Sequence, residues 1–324
     1  MENEKDFHTN DKDFMNLVKK AKRKSTMRNI IISFIVTSIV LFGLYALGSF
    51  VMQKKIEQKG QVDDAWNSIH GANIESQGTS YNYTPVSAIG TSTFFKDIAG
   101  VPVPWGKQER VFTIFGTSKR LSTDGASGSG SVGDERIPMY YLGERELEFY
   151  HPDVYYKNVF DDRPLLNEMD ENTLVEFAFS LDKGYTLEEI QQVFKENVAW
   201  YWVDTFSEEK IKDHSDQNKD KEITLTDHTT IGSDAYGFPH SKHPKADPAS
   251  NFLATLDWLK SGDSDYKMAA EEIYHSIAKG KSEVKKEDLH IIGVVVTGTP
   301  SELKNYNNLP MIKAATIGAT TDKY

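Results

Sequence analysis

From Asn29 to Gln53 the chain carries no ionisable side chain except the phenol of Tyr45. As a helix rising ~1.5 Å per residue, the apolar stretch Ile30–Met52 measures ~34 Å, enough to cross a hydrocarbon core of ~30 Å. No polar stripe interrupts it, as one would in a long helix packed into a soluble protein. It also exceeds the ~7–15 residues of a signal-peptide core, although Ala46-Leu47-Gly48 faintly resembles a small-residue cleavage site. The pattern predicts a membrane-spanning helix over 30–52.

Ahead of this run, Phe14, Leu17, Val18 and Ala21 recur at i, i+3, i+4 and i+7, one face of a helix. The remaining positions are rich in lysine. Two readings stand for this tail (residues 1–29): a basic amphipathic segment resting on the inner leaflet, or a one-helix docking face for a cytoplasmic partner. Lys19, Lys20, Lys22, Arg23, Lys24 and Arg28 precede the span, whereas the lysines after it soon meet Glu57, Asp63 and Asp64. The larger basic cluster favours the cytoplasm, so a short inner tail and a large domain outside the cell membrane are expected.

Beyond the span, residues 60–135 are rich in Ser, Thr, Gly and Asn, and 53–170 reads as a mainly β, loop-rich region. "ERVFTIFG" alternates Val111, Thr113 and Phe115 against Phe112 and Ile114, a strand pattern. The signal sharpens over 171–324. "LVEFAFSLD" puts Val175, Phe177, Phe179 and Leu181 on one face of a half-buried strand. Thr186-Leu-Glu-Glu189 follows with the form of a capping box, then a helix to about Glu196 and a strand, "VAWYWVDT". The arrangement recurs: "LHIIGVVVTG", a second capping box at Thr299-Pro-Ser-Glu302, then "MIKAATIGAT". Two helices lie between, one opened by Asp247-Pro248 and one from about Asp265 to Lys279. The expected class is α+β: one transmembrane helix, then an outer α/β region in which two strand–helix–strand units suggest a ferredoxin-like duplication.

Composition narrows the function classes. The chain has 324 residues, a formal charge of −11 and no cysteine. Disulfides, thiolate zinc sites and cysteine nucleophiles are therefore excluded. Residues 1–53 hold 8 Lys+Arg against 5 Asp+Glu, so the remainder is strongly acidic and ill-suited to direct nucleic-acid binding. No His-Glu-x-x-His, Gly-x-Ser-x-Gly or phosphate-loop motif is present, and no enzymatic role or cofactor is expected. Two segments carry metal-type residues. His240 and His243 stand three apart in a proline-flanked loop. Asp216, Asn218 and Asp220 occupy positions one, three and five of a calcium-hand pattern, but Lys221 replaces its turn glycine and Asp227 its glutamate. A solvated charged excursion is the alternative.

Five segments carry a family resemblance: "FMNLVKKAKRKSTMRNIIISFIV", "FFKDIAGVPVPWG", "LGERELEFYHPDVYY", "LVEFAFSLDKGYTLEEI" and "IIGVVVTGTPSELKNYNNLPMIKAATIGAT". Together they make the chain resemble bacterial membrane-bound anti-sigma factors built from a sigma factor regulator N-terminal and C-terminal domain. The resemblance implies a single-pass regulator that holds an extracytoplasmic-function sigma factor at the membrane, alone or with a second membrane subunit, and frees it on an envelope signal. The alternative is an anchored outer binding or sensor module with no sigma contact.

Overall fold

The protein is described here by a computed structural model covering residues 3–123, 130–132, 135–219, 227–241, 243 and 246–323. The first element is a continuous helix, α1 (Asn3–Asn67). It contains the whole apolar run, which is long and apolar enough to cross a membrane and is exposed over most of its length, with Met52 at its end buried. Four strands follow, β1 (Ile74–Tyr83), β2 (Ser87–Ile98), β3 (Val101–Thr113) and β4 (Ser118–Thr123), forming one sheet in chain order. The strand expected at "ERVFTIFG" is the end of β3. It stops at Thr113, where Gly116 takes φ +78°, and leaves Phe115 82% exposed in the turn.

Short strands then pair locally: β5 (Gly130–Val132) with β6 (Glu135–Ile137), and β7 (Tyr140–Tyr141) with β8 (Glu144–Arg145). Strand β9 (Glu148–Phe149) pairs with β12 (Thr230–Ile231). The main sheet uses β10 (Thr173–Tyr185), β11 (Val198–Val203), β13 (Gly237–Pro239), β14 (Ile291–Gly298) and β15 (Ile312–Asp322). Its order is β13-β11-β14-β10-β15, with every pair antiparallel. Helix α2 (Leu187–Val193) links β10 to β11, and the single turn α6 (Pro300–Leu303) links β14 to β15. Counting the four linked strands one to four, the order is 4-1-3-2, the interleaving of two strand–helix–strand units that defines a ferredoxin-like sheet. Both capping boxes form: the hydroxyls of Thr186 and Thr299 accept from the amides of Glu189 and Glu302, whose carboxylates accept in return.

Helices α4 (Pro248–Ser261) and α5 (Lys267–Ala278) are inserted between β13 and β14. Their apolar residues Phe252, Leu256, Leu259, Ile273 and Ile277 join Val175, Phe177, Phe179, Val294 and Val296 of the sheet in the principal core. Burying such side chains contributes roughly 1.5–3 kcal/mol each. Helix α3 (Glu208–Lys219) occupies a stretch whose charge density suggests loop.

By compactness the chain divides in two. One unit comprises Met1–Ile56 with Tyr83–Ala88 and Phe112–Ser118; the other comprises Glu57–Asn82, Ile89–Val111 and Lys119–Tyr324. In the second unit one expectation is corrected. Strand β10 alternates apolar and polar residues, as though half-buried, yet Leu174–Leu181 are buried on both faces. Leu147 and Phe149 pack with Ala178, Trp200 and Trp202 over the face expected to meet water. Glu176, on that face, is therefore fully buried.

Candidate functional sites: the helical tail and a buried charged junction

The tail residues singled out by periodicity lie together on α1. Phe14, Leu17 and Val18 are 66%, 66% and 50% exposed, and Ala21 continues their stripe. Lys19, Lys20, Lys22, Arg23, Lys24 and Arg28 are exposed on the same helix. Four apolar residues at this spacing, uncovered by protein, have the form of a helix-in-groove ligand.

The second site lies in the larger unit. Lys96 of β2, Glu146 and Glu176 are all fully buried. The Lys96 ammonium donates to Glu176 Oε2 at 2.9 Å and lies 3.5 Å from Glu146 Oε1. It also sits 3.8 Å above the ring centre of Trp105, a cation–π contact strengthened by exclusion of water. The remaining lone pairs are met. Asn73 Nδ2 donates to Glu176 Oε1 at 2.9 Å, and the Ala319 amide to Oε2 at 3.3 Å. Glu146 accepts from the Leu147 amide and from the Ser233 hydroxyl. Burial pushes the Glu176 carboxyl above its ordinary range, Lys96 and Asn73 pull it down, and Glu146 pushes it up again; the net shift is upward. Two carboxylates share one ammonium.

The last turns of α1 reach a neighbouring cluster. Trp66 stacks on Tyr266 with centroids 4.4 Å apart and planes 2° from parallel, and on His70 at 5.1 Å. Asp63 accepts from Arg110 at 3.0 Å and from the Tyr266 hydroxyl at 2.9 Å. Arg110 and Lys59 both reach Asp265. Burial works to raise the Asp265 carboxyl, but hydrogen bonds from these two cations overcome it and hold it below the usual range. Burial also drives His70 down to about 4, so it is neutral at physiological pH, and drives Tyr266 up to about 12. Trp66, His70, Trp105, Tyr141, Arg120 and Tyr266 line a cavity of about 350 Å³. The Trp105 indole Nε1 is buried there with no hydrogen-bond partner among the described residues.

Neither site contains a catalytic arrangement. The buried His151 has the look of a general base, with Nε2 3.2 Å from Asp204. Its Nδ1 accepts from the Asp153 amide at 3.2 Å, so both nitrogens are engaged and neither faces a nucleophile. His240 Nδ1 meets the Tyr201 hydroxyl at 2.8 Å, and His243 is exposed. Asp216 and Asn218 lie on helix α3 rather than in a loop. Asp216 faces Lys219, and Asn218 spends both amide atoms on Tyr155 O and the His228 amide. Asp220 lies outside the described residues. Among the described residues, no group of three or more acidic or histidine side chains is placed to hold a metal ion.

The buried junction escapes sequence reading because Lys96, Glu146 and Glu176 are 30 to 80 residues apart and sit at apparently solvent-facing positions. One signal was available: Lys96, Glu146 and Glu176 each fall inside a segment that carries the family resemblance, and Glu176 is a lone charge among apolar neighbours.

A mixed α+β protein with one long apolar N-terminal helix is the class these features define. Comparison with family models finds the sigma factor regulator N-terminal domain over residues 15–101 and the sigma factor regulator C-terminal domain over residues 166–319. The chain belongs to the sigma factor regulator family, whose members act as anti-sigma factors and are generally non-enzymatic. No curated protein and no solved structure matches it.

Proposed function

We propose that this protein is a single-pass anti-sigma factor of the cell membrane, with its tail (1–29) in the cytoplasm, its span at 30–52 and its outer regions at 53–170 and 171–324. In this reading the stripe Phe14, Leu17, Val18 and Ala21 engages an extracytoplasmic-function sigma factor, alone or beside a second membrane subunit. The outer part releases it when the envelope changes. The observation that carries the reading is the N-terminal family match, which takes tail, span and first strands as one segment, residues 15–101. The basic cluster Lys19–Arg28 supports this orientation.

The test is co-purification of the full-length protein with its bound partners from gently solubilised membranes, beside a form lacking residues 1–20. A sigma factor retained by the first and absent from the second is expected. Equal recovery from both, or none from either, overturns the reading.

The aromatic-lined cavity favours a second reading, an anchored outer sensor whose tail only grips lipid. Removing residues 1–20 would then leave its function intact provided the protein still inserts.

A further inference from the structure

The smaller compact unit places two turns against the end of the apolar run. One is the β1–β2 turn within Tyr83–Ala88; the other is the β3–β4 turn within Phe112–Ser118. Gly48 lies so close to the second turn that a Cβ there would come within 2.7 Å of the Ile114 carbonyl. A Cβ on Gly116 would stand 3.3 Å from Val51. Gln53, the first polar residue after the apolar run, donates to the Tyr83 hydroxyl at 3.5 Å. The turns therefore sit beside residues 48–53, where hydrocarbon gives way to headgroups if 30–52 spans the bilayer.

Their chemistry suits that depth. Neither Tyr83–Ala88 nor Phe112–Ser118 contains an ionisable group except the Tyr83 phenol. Phe115 is 82% exposed, Tyr83 53% and Val86 51%. Leaving these in water forfeits the burial that an adjacent apolar phase supplies. The backbone is also prepared for low polarity. Thr84 N bonds to Ser87 O at 2.7 Å, Thr113 N to Thr117 O at 3.0 Å, and Gly116 N to Thr113 O at 3.0 Å. Ile114 N reaches across to Val86 O at 3.1 Å, and the Thr84 hydroxyl accepts from the Ser87 amide. Pro85 has no amide to satisfy. A loop entering a bilayer must meet its own polar groups in this way. Aromatic residues with one polar tip, as Tyr83 has, concentrate at the interface.

We propose that these two turns are a second membrane contact: Phe115 and Val86 insert into the interfacial region of the leaflet facing the folded part, and Tyr83 marks the headgroup level. The partner is a lipid surface, engaged by apolar burial rather than by charge. The proposal rests on reading α1 as a membrane span, and the test separates the two.

Because the chain has no cysteine, single nitroxide labels can be placed in the full-length protein at Phe115→Cys and Val86→Cys. Phe42→Cys serves as the span control and the 83% exposed Met268→Cys as the water control. The protein is reconstituted in phosphatidylethanolamine–phosphatidylglycerol vesicles, and collision with oxygen, which partitions into lipid, is compared with collision with a water-soluble nickel chelate. Labels at 115 and 86 are expected to fall between the two controls, with oxygen favoured several-fold more than at 268, while 42 is the most lipid-like and 268 favours nickel. A lipid-like 42 with water-like 115 and 86 overturns the proposal and leaves the span standing. A water-like 42 overturns both. Phe115→Trp, read by quenching from lipids brominated on their acyl chains, repeats the measurement without a label. Quenching no greater than in the unsubstituted protein is likewise contrary to the proposal.

Discussion

Lys96 and Glu176, 80 residues apart in sequence, meet at 2.9 Å with neither side chain exposed to water. Their contact ties the four-stranded sheet, through β2, to the interior strand β10 of the five-stranded sheet. Taking both charges out of water is costly, and only the surrounding hydrogen bonds and the Trp105 ring make it tolerable. Removing one partner is then far more damaging than replacing the set.

Lys96→Met leaves two buried carboxylates without a counter-charge. A loss of about 3–5 kcal/mol is expected, measured by urea unfolding of the detergent-solubilised protein through tryptophan fluorescence. Adding Glu146→Gln and Glu176→Gln to the same chain should recover most of that loss. A Lys96→Met protein as stable as its parent would show that the ion pair contributes nothing.

Two glycines make room for the carboxylates. A Cβ at Gly318 would collide with Glu176 Oε2 and Leu147, and one at Gly232 would come within 2.7 Å of Glu146 Oε1. Gly318→Ala should therefore cost roughly 1–3 kcal/mol, and the cost should shrink when Glu176 is also shortened to Ala. Strictly additive losses in the melting curves would place the strain elsewhere.

His70 sets an acid limit. Its pKa falls from 6.5 in the unfolded chain to about 4 in the fold, because burial disfavours the charged ring. The neutral form is the one folded, so its contribution is fully present above pH 6.5 and is lost as pH falls from there towards 4. By pH 5 the loss is on the order of 2 kcal/mol. His70→Phe, which keeps the stack on Trp66, should flatten the fall in melting temperature between pH 7 and 5. An unchanged slope in that variant would assign the acid sensitivity to other groups.

The tail stripe should act without the outer fold. Phe14→Glu with Leu17→Glu replaces two apolar anchors by charges and should reduce co-purified sigma factor at least tenfold, a change of about 1.4 kcal/mol or more. The melting temperature of the folded part after α1 should not move. Undiminished recovery would remove the stripe from the interface.

Much of this architecture was legible because its signals are local. The apolar run, the two capping boxes and the strands flanking them rest on residues within a few positions of one another, and the structure places them as read. What stayed hidden depends on distant partners. Glu176 and Ser180 alternate with apolar residues as solvent-facing positions do, and only the arrival of Leu147 and Phe149 buries them. Helix α3 was obscured by its charge, although Glu208 and Glu209 lie where they favour a helix N-terminus. Val62, Trp66 and Ile69, spaced i, i+4 and i+7 and buried in the principal core, were a readable sign that α1 runs well past the span. The junction itself required three charged residues from separate segments to be brought to one point by the fold.

The two family segments also meet in that junction. Asn73 and Lys96 come from the segment 15–101, whereas Glu176 and the Ala319 amide come from 166–319. A chain severed between them would strand Lys96 on one side of the cut and Glu176 on the other, each a buried charge without its counter-charge.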